Sequence, residues 1–514
     1  MATIDRDILT IVEPTIKVDE VFVEAEDGPE AEKERDEENK NQTTEQAAVE
    51  GGLYPMMQVG SIKVGQDAIE SMTLKLDSFI PYAVFEVDDV GNKFTDINYP
   101  LDGDVVSLYI KPRPIEEYRP IRIDFDIESI SSTPKDGATP ASYVFRCVMK
   151  VPLLTADVLQ GFASGNSFDH LLECAEGLGL GFASNEEGSD DAMIRICAQQ
   201  SRQEFIEQTT ESAYKDDNSF FKTYIDTHYY LCMVNVNKQF SEIDELEPVT
   251  VTEIVQNDLQ VGSTAEAVGV TGTLRLSNGQ DVVGTDMHIS SYNLCNNSGD
   301  IWMSNGYARD LRYLNLTENN AGGVDGGLEK FLITPLNTPG TEGEKIPLRG
   351  RIDEEFWREN NKVKYLGKQP SEEFENVHSN YMYAVTSNFG NTQEINKLYM
   401  EVDLAVINWS LYRYQRIPVL IYTEGAINNK NLENRDEQLG ENEQPENSKD
   451  DPEVEAEGPT NYDEPNQQIK NEFLSGYYVI SDMTYKYSKE SGSFTQTLKL
   501  LRREWPIPGK LKDN

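Results

Sequence analysis

His228 and Cys232 stand four residues apart in THYYLCM, the nearest this chain comes to placing a nucleophile beside a base. A thiol nucleophile needs a base in hydrogen-bond reach, a group orienting that base and donors for the oxyanion. None of these follows in the sequence, and the patterning there switches from helix towards strand. The chain has only four histidines, His170, His228, His288 and His378. None falls in HExxH or in a zinc-type Cys/His spacing. The five cysteines (Cys147, Cys174, Cys197, Cys232, Cys295) lie in apolar-patterned segments without CxxC spacing, which reads as free buried thiols. Their odd number argues against a secreted disulfide scaffold.

Carboxylates offer two clusters. Asp124, Asp126 and Glu128 alternate with Phe125 and Ile127, the solvated face of a strand. Glu186, Glu187, Asp190 and Asp191 have the composition of a glycosidase or metal site, but nothing singles out a working pair. A DxDxDG calcium loop and a GxxxxGK[ST] phosphate loop are both absent. Gly177–Gly181 (GLGLG) follows a helical pattern rather than a strand, so it reads as a helix end. Aromatics around Tyr292–Tyr307 suit a sugar platform or, more simply, a core. Four sequons, at Asn41, Asn296, Asn315 and Asn408, carry no weight without an export signal. No catalytic, cofactor-binding or metal residue is assigned, and no cofactor is expected.

The 514 residues exceed one core and imply several domains. A net charge of -45, from 90 acidic and 45 basic residues, disfavours nucleic acid and anionic membranes as partners of the whole exterior. No apolar run approaches the roughly 18 residues of a membrane span. The start, MATIDRDILTIVEP, lacks the basic and apolar regions of a secretory signal. Two stretches are too acidic and too poor in apolar residues to fold alone: 24–50, with eleven acids against three bases, and 430–464, with thirteen against three. The extended strand before the first is expected to add to a sheet elsewhere, with a neighbouring subunit as one option.

The clearest local pattern is GYYVISDMTYKYSKESGSFTQTLKLLR, from Gly476 to Arg503. Tyr478, Ile480, Met483 and Tyr485 alternate with polar residues, with one slip near Asp482. Leu498, Leu500 and Leu501 belong to a second strand beyond the turn at 489–493. A hairpin this long closes a larger sheet, because a pair alone is marginally stable. The fold expected is a β-rich α+β multidomain chain: two similar antiparallel β-barrel domains, a small helical insertion and an additional β-rich middle region. The expected divisions are 1–50 (strand and acidic arm), 51–154 (first barrel), 155–245 (mostly helical), 246–360 (β-rich middle) and 361–510 (second barrel, with an acidic loop over 424–470). Helices are expected at Ser167–Gly177, with Ser167 as N-cap and Gly177 or Gly179 as C-cap, at Ser201–Tyr214 and at Ser219–Tyr230.

The two barrels share a plan. GDVVSLYIK, RIDFDIESIS and YVFRCVMK in the first answer to RIPVLIYT, GYYVISDMTYKYS and FTQTLKLLR in the second, with MTLKLDSF set against KLYMEVDLAV ahead of each. Duplication is the natural source of such an order. A trimer of two-barrel subunits would present six similar barrels and could join a sixfold structure to a threefold one.

In this order of features the chain resembles the central baseplate-hub proteins of contractile-tailed bacteriophages, related to late-control (gene D type) tail proteins and to the hub part of type VI secretion spike proteins. The residues that carry it are MTLKLDSFIPYAVFEVDD with YPLDGDVVSLYI, SFDHLLECAEGLGLGFASN with the segment from FIEQTTESAYKDD to VNKQF, LYRYQRIPVLIY, and the hairpin. They cover roughly 51–240 and 380–505. The resemblance implies a non-enzymatic virion protein made in the host cytoplasm: a homotrimer in the tail baseplate. Its partners would be the tail tube protein, a separate central spike protein and other baseplate proteins, with DNA only as cargo passing through the lumen. A receptor- or carbohydrate-binding tail protein is the alternative reading, and a cell-wall hydrolase a third.

Overall fold

The computed structural model describes residues 8–16, most of 55–110 and 121–240, the strands within 274–297, 309–314, 328–333 and 362–368, and most of 378–423 and 469–502. Both acidic stretches of the sequence lie outside the described residues. The chain is strand-rich and multidomain, as expected.

After a short N-terminal strand, β1 (Leu9–Val12), the first β unit contains β2 (Pro55–Val59), β3 (Ile62–Val64), β4 (Ile69–Leu76), β5 (Tyr82–Asp88), β6 (Val105–Ile110), β7 (Ile121–Lys135) and β8 (Ala138–Met149). Period-two alternation builds them. Met72 and Leu74, Phe85 and Val87, Val106 and Leu108, and Ile123 and Phe125 are all fully buried, while intervening residues face outward. Burying each such side chain stabilises by about 1.5–3 kcal/mol.

The insertion holds β9 (Asp157–Phe162), α1 (Ser167–Leu178), β10 (Gly181–Ser184), β11 (Arg195–Ser201), α2 (Arg202–Glu211), β12 (Phe221–Ile225), β13 (Tyr230–Asn235) and the short α3 (Val236–Phe240). The N-cap of α1 is Asn166, whose side chain accepts from the Asp169 amide at 2.8 Å, so the expected cap is displaced by one residue from Ser167. Gly179 closes that helix at φ +75, a left-handed position that favours glycine. Ser201 and Glu204 form a capping box on α2. The expected third helix, Ser219–Tyr230, is instead strand β12 and its turn. Phe221 and Ile225 pack into the main core while Phe220 and Tyr224 pack into a second cluster behind it. A strand buried on both faces mimics helical spacing, and the insertion is therefore mixed α/β rather than mostly helical.

The remaining elements are β14 (Leu274–Leu276), β15 (Met287–Asn296), β16 (Arg309–Leu314), β17 (Leu328–Ile333), β18 (Lys362–Lys368), α4 (Tyr381–Ile395), β19 (Leu398–Leu404), β20 (Arg416–Thr423), β21 (Ile469–Lys470), β22 (Gly476–Ser488) and β23 (Ser493–Leu501). Pairing runs β15-β19-β23-β22-β20-β14 and returns to β15, a closed six-stranded barrel. Two strands of the expected middle region, β14 and β15, thus belong to the second barrel. β16, β17 and β18 form a separate three-stranded sheet.

The first unit pairs in the corresponding order, β4-β5-β8-β7-β6-β2. Matched along the chain, β2, β4, β5, β6, β7 and β8 answer to β14, β15, β19, β20, β22 and β23. The counterpart of β19 is therefore β5, not the β4 segment MTLKLDSF set against it from sequence. Phe85-Glu86-Val87-Asp88 in β5 even echoes Met400-Glu401-Val402-Asp403 in β19. The units differ in closure: β2 meets β6 antiparallel, whereas β14 meets β20 parallel, and among the described pairings none joins β2 to β4.

Candidate assembly site

The hairpin strand β22 belongs to both units. Its first residues, Gly476–Val479, pair with β20 inside the second barrel. Its last, Met483–Ser488, pair antiparallel with β4 of the first unit, from Met483 opposite Leu76 to Ser488 opposite Ser71. The change of partner falls at a register shift between Ile480 and Asp482, where the sequence alternation slips. A bulge kinks and twists a strand, which lets one strand leave one sheet surface and enter another. Fourteen strands consequently run in one continuous sheet across both units.

Arg413 locks that crossing. It precedes β20 in LYRYQRIPVLIY and is 8% exposed. Its Nε donates to the Ser481 carbonyl in the bulge at 2.8 Å, and Nη1 donates to the Ser78 carbonyl, in the β4–β5 turn, at 2.6 Å. Nη2 meets Asp482 at 3.4 Å, and Lys499 reaches the other oxygen of that carboxylate at 3.3 Å. The guanidinium lies 4.8 Å from the ring centre of Tyr224 in β12, whose hydroxyl donates back to the Arg413 carbonyl at 2.9 Å. One side chain thus fixes the first unit, the α/β insertion and the second barrel together. Tyr414 beside it holds φ at +62, a left-handed position costly for a bulky residue, so the surrounding contacts impose the local backbone.

Gln496 secures the adjacent loop. It points inward and is fully buried, although its type suggests the outer face. Its Oε1 accepts from the Asn408 amide at 2.8 Å, and its Nε2 donates to the Asn408 carbonyl at 3.2 Å. Trp409, held in that way, stacks on Tyr485 with centroids 4.3 Å apart.

A cavity of about 340 Å³ opens where these pieces meet, and its walls include His228, Cys232, Trp409 and Arg413. The pair noted in the sequence therefore shares one cavity. It is not poised as a nucleophile. Complete burial raises the Cys232 thiol well above its ordinary pKa, and its Sγ lies 3.9 Å from the Tyr230 carbonyl. His228 is exposed and contacts Thr227.

The acid clusters serve the scaffold. Asp124 accepts from Ser107 at 2.7 Å and pairs with Arg122, while Asp126, on the solvated face, pairs with Lys150. The second cluster splits. Glu187 and Asp190 face solvent, whereas Glu186 is buried against Lys215, Lys238 and Asn235. Asp191, fully buried, binds Arg195 at 3.2 Å, the Ser167 amide at 2.9 Å and Ser189 at 2.6 Å. Arg195 also meets His170 Nδ1 at 3.1 Å, and burial lowers the pKa of His170. Among the described residues no group of His, Cys, Asp or Glu is placed to hold a metal. His378 Nε2 donates to the Ser212 carbonyl, 3.2 Å away, and joins α4 to the insertion. His288 lies in β15, Tyr292 is 36% exposed on the same strand, and Tyr307 lies outside the described residues.

Arg413 and Gln496 were not singled out from sequence. The signal for Arg413 was a cation set between tyrosines just ahead of an apolar strand; Gln496 shows only that a polar residue occupies an inward register. Among the described residues, exposed apolar side chains include two strand faces. On the β9–β11 ribbon Leu159 is 84% and Ile196 64% exposed; on β1 Leu9 is 53% and Ile11 42% exposed.

No family model matches the chain, and no curated protein matches its sequence. Solved structures match it in fold. It is similar to the tail protein from Neisseria meningitidis MC58, at 8% identity over 88% of this chain and 97% of that one, with a TM-score of 0.44. The 43 kDa tail protein of prophage MuSo2 from Shewanella oneidensis gives 8% identity, 88% and 98% coverage and a TM-score of 0.44. A component of the E. coli type VI secretion system, described as structurally similar to T4 bacteriophage tail proteins, gives 7% identity, 88% and 79% coverage and 0.36.

Proposed function

We propose that this chain is a structural virion protein, the central baseplate hub of a contractile phage tail. Three copies form a ring that joins the sixfold tail tube to the trimeric central spike and lets DNA pass during ejection. The observation that carries the reading is the repeated strand order of the two β units, fused through β22 into one sheet. Three such chains present six similar β units at fixed spacing, which is what a three-to-six adaptor requires. Because β22 is shared and Arg413 braces the crossing, the units cannot swing independently, so load passes through hydrogen-bonded strands. The exposed apolar residues of the β9–β11 ribbon suit burial between copies, since obligate interfaces of this kind cover about 2,000 Å² or more. The tube, the spike and other baseplate proteins are the partners of this reading, and no turnover is assigned. Light scattering tests it: three chains of 58.0 kDa give about 174 kDa, and that species binds purified tube or spike protein. A monomer that binds glycans without binding tube would replace this reading with the receptor-binding one.

A further inference from the structure

β1 is the edge strand of the four-stranded sheet β1-β10-β13-β12, antiparallel to β10. Its seat is unusually specific for so short an element. Thr15 and Ile16 amides donate to the Gly179 carbonyl at 2.9 and 3.1 Å. A Cβ on Gly179 would stand 3.1 Å from Thr15 Oγ1, while one on Gly181 would meet the Tyr230 ring at 2.5 Å and Pro14 Cδ at 2.9 Å. Gly179 thus leaves room for Thr15 and Ile16, and Gly181 for both the Tyr230 ring and Pro14. Glu13 completes the seat by accepting from the Tyr230 hydroxyl. The strand itself is lightly buried: Leu9, Thr10 and Ile11 are all exposed, so backbone hydrogen bonds hold it more than core packing does. Only its flanks reach the core: Val12 and Ile16 pack, partly buried, on the main cluster and Ile8 on the second.

The seat does not specify which chain supplies the strand. Between Ile16 and β2 lie 38 residues, 17–54. Fully extended they reach about 125–135 Å. As a coil the r.m.s. span is about 30–37 Å, and like-charge repulsion among the eleven acids against three bases of 24–50 pushes that upward. Either figure spans the width of a domain, so the seat of an adjacent copy lies in reach. Closure entropy grows only with the logarithm of tether length, so reaching an adjacent seat rather than its own changes it little. A strand that is specific in its seat, weakly buried and long-tethered meets the physical conditions for exchange.

We propose that residues 9–16 are an exchange strand: in the assembled protein they dock on the β10 edge and Gly179–Gly181 seat of a second copy of this chain. The proposal rests on the multi-copy reading above and names one contact that holds the copies together. Leu9 faces Ser184 in register, and cross-strand pairs of this kind lie in disulfide range. Full-length Leu9→Cys and Ser184→Cys single variants are mixed during assembly and oxidised, and the double variant is oxidised alone. Exchange predicts covalent dimers from the mixture and dimers and trimers from the double variant on a non-reducing denaturing gel. Cross-linking confined to single chains, or none at all, overturns it. Light scattering of the same samples separates the two claims: a three-copy mass with only intrachain links removes the exchange and leaves the ring, whereas a one-copy mass removes both.

Discussion

Replacing Arg413 with alanine is the sharpest perturbation of the crossing. Two of its hydrogen bonds, to the Ser481 and Ser78 carbonyls, are short and come from a buried charged donor. Hydrogen bonds of that type are worth about 1.5–3 kcal/mol each. The contact with Asp482 is long, and that carboxylate keeps Lys499, so it adds about 0.5 kcal/mol or less. The desolvated cation over Tyr224 adds about 1–2 kcal/mol. Arg413→Ala should therefore cost about 4–8 kcal/mol, a large share of the 5–15 kcal/mol typical of a folded domain. Arg413→Lys, with one compact head in place of a fork, should recover less than half. Urea denaturation followed by circular dichroism measures both. Because the side chain joins three units, a single wild-type transition should split in the alanine variant, with the insertion separating from the barrels. A cost below about 1 kcal/mol, with one cooperative transition retained, would refute the assignment of Arg413 as the brace.

Gln496→Leu strands the Asn408 backbone and should cost about 1–3 kcal/mol while shifting tryptophan emission as Trp409 loosens; unchanged emission counts against the clip. Burial lowers the pKa of His170 and His378 from the ordinary 6.5. The unfolded chain then takes up protons below about pH 6.5 that the folded chain refuses, so stability present above that pH is lost as pH falls through the folded values. His170→Gln with His378→Gln should flatten the profile between pH 7 and 5, measured as midpoint against pH. Burial raises Cys147 and Cys174 to about 12 and pushes Cys197 and Cys232 upward. A thiol reagent at pH 8 should label Cys295 alone in the native protein and all five thiols in denaturant. Arg195→Met, which leaves Asp191 buried without its partner, should cost about 3–5 kcal/mol in the same denaturation assay.

The hairpin was readable because alternation and turn chemistry are local. So was the slip near Asp482, but its consequence was not, since the new partner β4 lies some 400 residues earlier in the chain. The α1 and α2 helices announced themselves through spacing and caps, whereas β12 did not, because two cores claim its two faces. MTLKLDSF and YAVFEVD follow each other closely and both alternate, so pattern alone sets the barrel correspondence one strand out, on β4 rather than β5. β14 lies in the strand-like stretch GVTGTLRLS, but three residues carry too little pattern to say that they close the second barrel rather than belong to a middle domain. The candidate site was the least readable part. Arg413 matters through carbonyls at Ser78 and Ser481, and no pattern around residue 413 encodes where those carbonyls will be.

The central claim is a position as much as a shape. A reconstruction of the assembled tail, with residues 476–503 and 69–88 located in it, tests it most directly. Three copies should ring the tail axis between tube and spike, with both β units of each copy at equal radius so that six alternate around the lumen. Copies at the tail periphery, or β units at unequal radii, would contradict it.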